Sequence, residues 1–95
     1  MSRSIVSLQP SGAFIDFSVN LGSVYMFRLD WNSLLEYFFI TIRDSKGARI
    51  VAGRGLHVGV NIMDGIKGFN GTLILEGEKP TPENLGVTNK LVWER

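Results

Sequence analysis

The chain has 95 residues, ten basic and nine acidic side chains for a formal net charge of +1, one histidine and no cysteine. A chain of this length makes a single small domain, residues 1–95, with an expected radius of gyration of about 12–13 Å and about 60–70% of its unfolded surface buried. The composition excludes a disulfide scaffold and thiolate metal sites and fits synthesis in a reducing cytoplasm, while the interspersed charges give no drive towards nucleic acid or an anionic membrane. No stretch reaches the about 18 apolar residues of a membrane span, and MSRSIVSLQPSG lacks the apolar block of a signal peptide. Hydrophobic residues nevertheless make up 44% of the chain. That share is high for a small monomer and implies apolar surface that a neighbour covers, either a second copy or another protein.

In chain order, residues 1–12 read as an extended N-terminal arm with a short strand at 5–8, closed by the turn signal Gln9-Pro10-Ser11-Gly12. Residues 13–19 follow as a strand in which Phe14, Asp16 and Ser18 alternate with Ile15, Phe17 and Val19. After turn chemistry at 20–23 comes the most informative segment, VYMFRLDWNSLLEYFFITIRD at 24–44, which reads as one long hairpin. In its first arm Tyr25, Phe27, Leu29 and Trp31 share one face, and Val24, Met26, Arg28 and Asp30 the other. In the second arm Phe38, Ile40 and Ile42 oppose Tyr37, Phe39, Thr41 and Arg43, so this strand is expected to be central, covered on both faces near its start and exposed near its end. The connection 32–36 is longer than a two-residue turn, and Leu34 and Leu35 at its tip have no core to enter. An apolar loop tip points to a partner.

The turn Asp44-Ser45-Lys46-Gly47 leads to a strand at 48–52, which completes a meander of four strands. Glycines then punctuate the chain up to residue 71. Within that region Val58, Val60 and Ile62 alternate with Gly59 and Asn61, which predicts a short edge strand, and 63–70 reads as an exposed loop. Strands are expected at 72–76 and 90–94. In the connection between them, Thr81 suits an N-cap, Pro82 the first helical position, Glu83 the positive end of the dipole and Gly86 a left-handed cap, which predicts one short helical turn at 81–85. The fold expected is all-β, a small antiparallel barrel or sandwich of six to seven strands.

No constellation in the sequence names a reaction. His57 is the one candidate base, with no cysteine to activate and no adjacent carboxylate to orient it, and it reads as a loop or edge residue. Asp16, Asp30 and Asp44 could meet on neighbouring strands as paired carboxylates, but they read as solvent-facing strand and turn residues. No ligand spacing supports a metal site, and no cofactor is expected. The run Gly53-Arg54-Gly55-Leu56-His57-Val58-Gly59 lacks both the spacing and the following helix of a dinucleotide loop. The expectation is a protein that is not an enzyme. A small β-barrel that binds single-stranded nucleic acid or carbohydrate is the alternative, with Tyr25, Phe39 or Trp93 stacking on bases and Arg28, Arg43, Arg49 and Arg54 following a backbone. Against nucleic acid stands the near-zero net charge.

Taken together, the segments also resemble a known family. The resemblance runs through Tyr25-Met26-Phe27-Arg28-Leu29-Asp30-Trp31-Asn32, then 38–44 with its glycine turn, the glycine-punctuated 53–60 and Gly71-Thr72-Leu73-Ile74-Leu75. It ends with Pro80-Thr81-Pro82-Glu83-Asn84-Leu85-Gly86 and Lys90-Leu91-Val92-Trp93. Over about residues 14–94 the order of these elements is similar to the small baseplate plug family of contractile-tailed bacteriophages. The resemblance implies a virion structural protein without catalytic residues, made in the cytoplasm of a bacterial host and located in the tail baseplate. It implies packing around the central hub and spike as a plug or adaptor, against hub, spike and tube-end proteins, in several copies related by threefold or sixfold symmetry. From the sequence itself, Leu34, Leu35, Val58, Val60 and Ile62 are the interface candidates, being apolar residues in a loop or on an edge strand that could pair with a partner.

Overall fold

The computed structural model describes residues 2–10 and 12–95. Met1, in the expected arm, and Ser11, in the expected 9–12 turn, lie outside the described residues. Among the described residues the chain forms seven strands: β1 (Arg3–Val6), β2 (Phe14–Asn20), β3 (Val24–Asn32), β4 (Tyr37–Arg43), β5 (Arg49–Gly55), β6 (Thr72–Gly77) and β7 (Asn89–Glu94). They make two sheets, one of four strands in the order β2-β3-β4-β5 and one of three in the order β1-β7-β6. Every strand pairing is antiparallel. The Cα radius of gyration is 12.4 Å.

The four-stranded sheet is the meander that the alternation predicts. Phe27 and Leu29 of β3, Phe38, Ile40 and Ile42 of β4 and Val51 of β5 face inward and are buried. Across from them stand Val6, Leu73, Leu75, Leu91 and Trp93 of the other sheet, and the two inner faces make one apolar core. The opposite face of β3 carries Val24, Met26 and Arg28, all exposed, so the period of two in the sequence becomes the inside and outside of a sandwich layer. Ring contacts reinforce the inner face, with Trp31 and Phe38 5.0 Å apart edge to face and Phe17 and Phe27 5.5 Å apart.

β1 leaves the meander for the other sheet and pairs with β7, Ile5 opposite Val92. On the outer face of that sheet, Arg3 donates to both carboxylate oxygens of Glu76, at 2.5 and 3.2 Å. The two residues belong to the outer strands, so their ion pair crosses β7 over Val92, which is buried although it faces away from the core.

Two local expectations are corrected. Residues 58–62 form no strand. Val58 makes a parallel bridge to Leu75 and Asn61 an antiparallel bridge to Ile74, so the chain reverses between them, with Gly59 at a φ of 81°. A left-handed residue ends the extended run that the alternation of Val58, Val60 and Ile62 suggested. The 63–70 segment is not wholly exposed, because Met63 is buried in the core, and Ile66 and Phe69 pack against it.

At 81–85 the chain makes one hydrogen-bonded turn and no helix. The Leu85 N–H donates to the Thr81 carbonyl at 3.1 Å, and the Asn84 N–H to the Thr81 hydroxyl at 3.2 Å. Asn84 answers by accepting from the Thr81 N–H at 2.8 Å, a reciprocal cap built with asparagine. Gly86 then turns left-handed with a φ of 78°, and a Cβ there would fall on the Leu8 carbonyl.

Candidate interaction surfaces

The tip of the β3–β4 hairpin is built by Asn32. Its side-chain oxygen accepts from the Leu34 N–H at 3.0 Å and the Leu35 N–H at 2.9 Å, and its carbonyl accepts from the Glu36 N–H at 2.7 Å. The loop 33–36 is therefore fixed by its own backbone, as a helix N-cap fixes a first turn. What it presents is apolar. Leu34 is 89% exposed and Leu35 53%, with the Glu36 carboxylate exposed beside them.

Glu36 has a φ of 57°, and among the described residues it alone has a positive φ without being glycine. In that conformation its Cβ crowds the following carbonyl, at a cost of about 1–2 kcal/mol that glycine would avoid. Nothing in the sequence marked this residue, because a glutamate in a loop gives no sign of its backbone angle.

The second predicted segment begins beside the tip. The Leu56 N–H donates to the Phe38 carbonyl at 2.8 Å, and the His57 ring packs on Tyr37 at 4.9 Å. From there residues 56–71 form a strap that crosses to β6. Arg54 holds it by donating one guanidinium nitrogen to the carbonyls of Ile62 and Asp64, both at 2.8 Å. The Asn61 side chain accepts from the Met63 N–H at 3.1 Å and the Leu73 N–H at 2.9 Å. Val58 and Val60 are exposed on the strap. Ile62 is only 2% exposed and packs in the core, so it offers no surface to a partner.

The chemical candidates resolve in the same way. Asp16 and Asp30 do come together, but around Arg28, which donates its Nε to Asp30 at 3.1 Å and lies 3.7 Å from Asp16. The two carboxylates thus share one guanidinium, and the hydrogen bonds that Arg28 donates to Asp30, then the Asp30 charge, hold the Arg28 guanidinium above its ordinary pKa. Asp44 stays in its turn and accepts from the Lys46 and Ala48 N–H groups, each at 2.9 Å. Among the described residues no group of three or more acidic or histidine side chains could hold a metal ion. No helix of the described residues is long and apolar enough to cross a membrane.

A base-stacking platform fares poorly. Trp93 is buried, and its indole N–H donates to the Asn70 carbonyl at 2.8 Å. Phe39 packs on Tyr37 at 4.9 Å and Tyr25 on Phe69 at 5.8 Å. Of the four arginines proposed to follow a backbone, Arg28 is held by carboxylates and Arg54 by carbonyls. Arg43 and Arg49 are left on the outer face of the sheet.

A comparison with curated proteins found no match. A family model does match, over residues 4–95, and its description is cyanophage baseplate Pam3 plug gp18. With all but the first three residues of the chain matched, the chain belongs to this phage baseplate plug family.

Proposed function

We propose that this chain is a structural part of a contractile-tail baseplate, packed around the central hub and spike as a plug or adaptor and performing no catalytic step. The observation that carries the reading is the match of residues 4–95 to a baseplate plug family. The hairpin tip supports it, since Asn32 orders a loop that leaves Leu34 almost wholly and Leu35 about half exposed to solvent. Leaving Leu34 outside forgoes about 1.5–3 kcal/mol of burial, and the half-covered Leu35 about half as much, which a contact in the assembly would recover. The partners are other baseplate and tail proteins, with hub, spike and tube-end proteins as the neighbours and threefold or sixfold symmetry relating the copies. The protein is made in the host cytoplasm and resides in the virion tail.

Charge substitution at the tip tests this reading. Leu34→Glu and Leu35→Glu are expected to leave the isolated protein folded and to block its incorporation into tails. Unimpaired incorporation of the folded double variant would count against it.

A further inference from the structure

The two ends of the four-stranded sheet carry opposite, unsatisfied charges. At one end Arg43 of β4 stands directly opposite Arg49 of β5. Like charges in that position repel across the strands, and a sheet tolerates them best where a counter-charge comes between. Arg43 donates to the Gly47 carbonyl at 3.3 Å, but among the described residues neither arginine has a carboxylate within ion-pair distance. Arg28, on the same face, has two. The row continues across the sheet to Met26, which pairs with Arg43 and is 41% exposed. Thr41 and Arg28 close a groove of ≈ 410 Å³ around them, and its one acidic residue, Asp16, is already engaged by Arg28.

At the other end is the hairpin tip, with an exposed carboxylate, Glu36, beside two exposed leucines. Glu36 makes no ion pair among the described residues and occupies a backbone conformation where glycine would cost less. A side chain retained at such a position is most simply explained by a use for that side chain. The tip thus offers one carboxylate and apolar surface, and the groove offers two guanidinium groups and apolar surface. They stand at opposite ends of β4, about 20 Å apart by strand rise, so a chain cannot satisfy itself.

We propose that copies of this chain associate head to tail, the 33–36 tip of one copy placing its Glu36 carboxylate between Arg43 and Arg49 of the next and its leucines against that copy's Met26. A contact between unlike surfaces leaves a tip free on one flank and a groove free on the other, and it repeats until a ring closes. Two guanidinium groups on one carboxylate give charge-assisted hydrogen bonds that fix the register, and the leucines supply the burial. The inference rests on reading the tip as a contact surface and names a second copy as what the tip meets.

The test uses the purified full chain, which has no cysteine of its own. Leu34→Cys and Met26→Cys are made as separate variants and mixed under oxidising conditions. The expected result is a disulfide-linked dimer in the mixture and none with either variant alone. A bridge in Leu34→Cys alone would mean tip-to-tip contact and would overturn the proposal, as would an unbridged mixture. In sedimentation runs of the otherwise unaltered chain, Glu36→Arg should lose self-association, and so should the double variant Arg43→Glu/Arg49→Glu. Mixing these two should restore it, because each then offers the charge the other lacks. Failure to restore, or undiminished association of either alone, overturns the pairing. Should the mixture stay unbridged while position 34 is shielded in assembled tails, the baseplate reading stands and the self-contact falls.

Discussion

The side-chain nitrogen of Asn89 donates to the side-chain oxygen of Asn84 at 3.1 Å, and this bond joins the first strand residue of β7 to the turn that precedes it. Asn89 is a polar residue buried to 2% exposure, and both its donors and its oxygen are engaged: it also accepts from the Gly86 N–H at 2.7 Å and donates to the Glu78 carbonyl at 3.2 Å. Asn84 in turn donates to the Lys79 carbonyl at 3.0 Å. The 79–89 connection, without a helix to order it, is ordered by two asparagines.

Replacing Asn89 by leucine keeps the branch at Cγ and strands the Gly86 N–H and the Glu78 carbonyl. The expected loss is about 1–3 kcal/mol for an unsatisfied buried group, read as a lower urea midpoint with an unchanged slope.

Gly86→Ala should cost at least as much. A left-handed φ opposes any Cβ by about 1–2 kcal/mol, and here the Cβ would also meet the Leu8 carbonyl, so the segment after β1 must move. Gly47→Ala is the control. It has a comparable φ of 85° but nothing within 4 Å of the added carbon, so it should show the conformational cost alone in the same denaturation experiment.

Leucine and isoleucine at the interface candidates should separate cleanly. Leu34→Ala, at an exposed tip, is expected to stay within about 0.5 kcal/mol of the parent in denaturant, whereas Ile62→Ala opens the core and costs about 2–5 kcal/mol.

The Arg3–Glu76 pair predicts a particular acid limb. Hydrogen bonding from Arg3 holds the Glu76 carboxyl below its ordinary value; desolvation opposes it, and the charges of Arg3 and Lys90 add smaller contributions in the same direction as the hydrogen bond. A carboxyl depressed in the folded state stabilises above its unfolded pKa and loses that contribution as pH falls through the folded one. Melting temperatures of the parent and Glu76→Gln should therefore differ at neutral pH and converge as the pH drops below the usual glutamate range. A difference that persists undiminished in acid would rule the pair out as its source.

Much of this architecture was legible in the sequence, and the reason lies in periodicity. Tyr25, Phe27, Leu29 and Trp31 repeat at two because one face of β3 meets the core, and the same rule identified β4 as an interior strand. The capping residues Thr81 and Gly86 were also legible, since their roles are local. What depended on distant contacts was not. β1 pairs with β7 at the far end of the chain, a choice that alternation within β1 cannot make. Ile62 looked like its neighbours Val58 and Val60, yet the reversal at Gly59 turns it inward while they stay outside. Among the site residues, Leu34 and Leu35 were visible as apolar residues in a loop. Glu36 was not, because its distinction is a backbone angle, and the facing of Arg43 and Arg49 depends on a bulged register between β4 and β5.

The hairpin tip is expected to be covered when the protein takes its place in a baseplate. With no native cysteine, Leu34→Cys gives a single reactive thiol at the tip, and its maleimide labelling can be timed in the isolated protein, at a dilution where it sediments as a monomer, and in assembled tails. Fast labelling of the monomer and strong protection in the tail are expected, with a second variant, Lys67→Cys at an exposed position away from both proposed contact surfaces, reporting general access to the particle. Equal labelling of position 34 in both states, in tails shown to contain the protein, would contradict coverage of the tip.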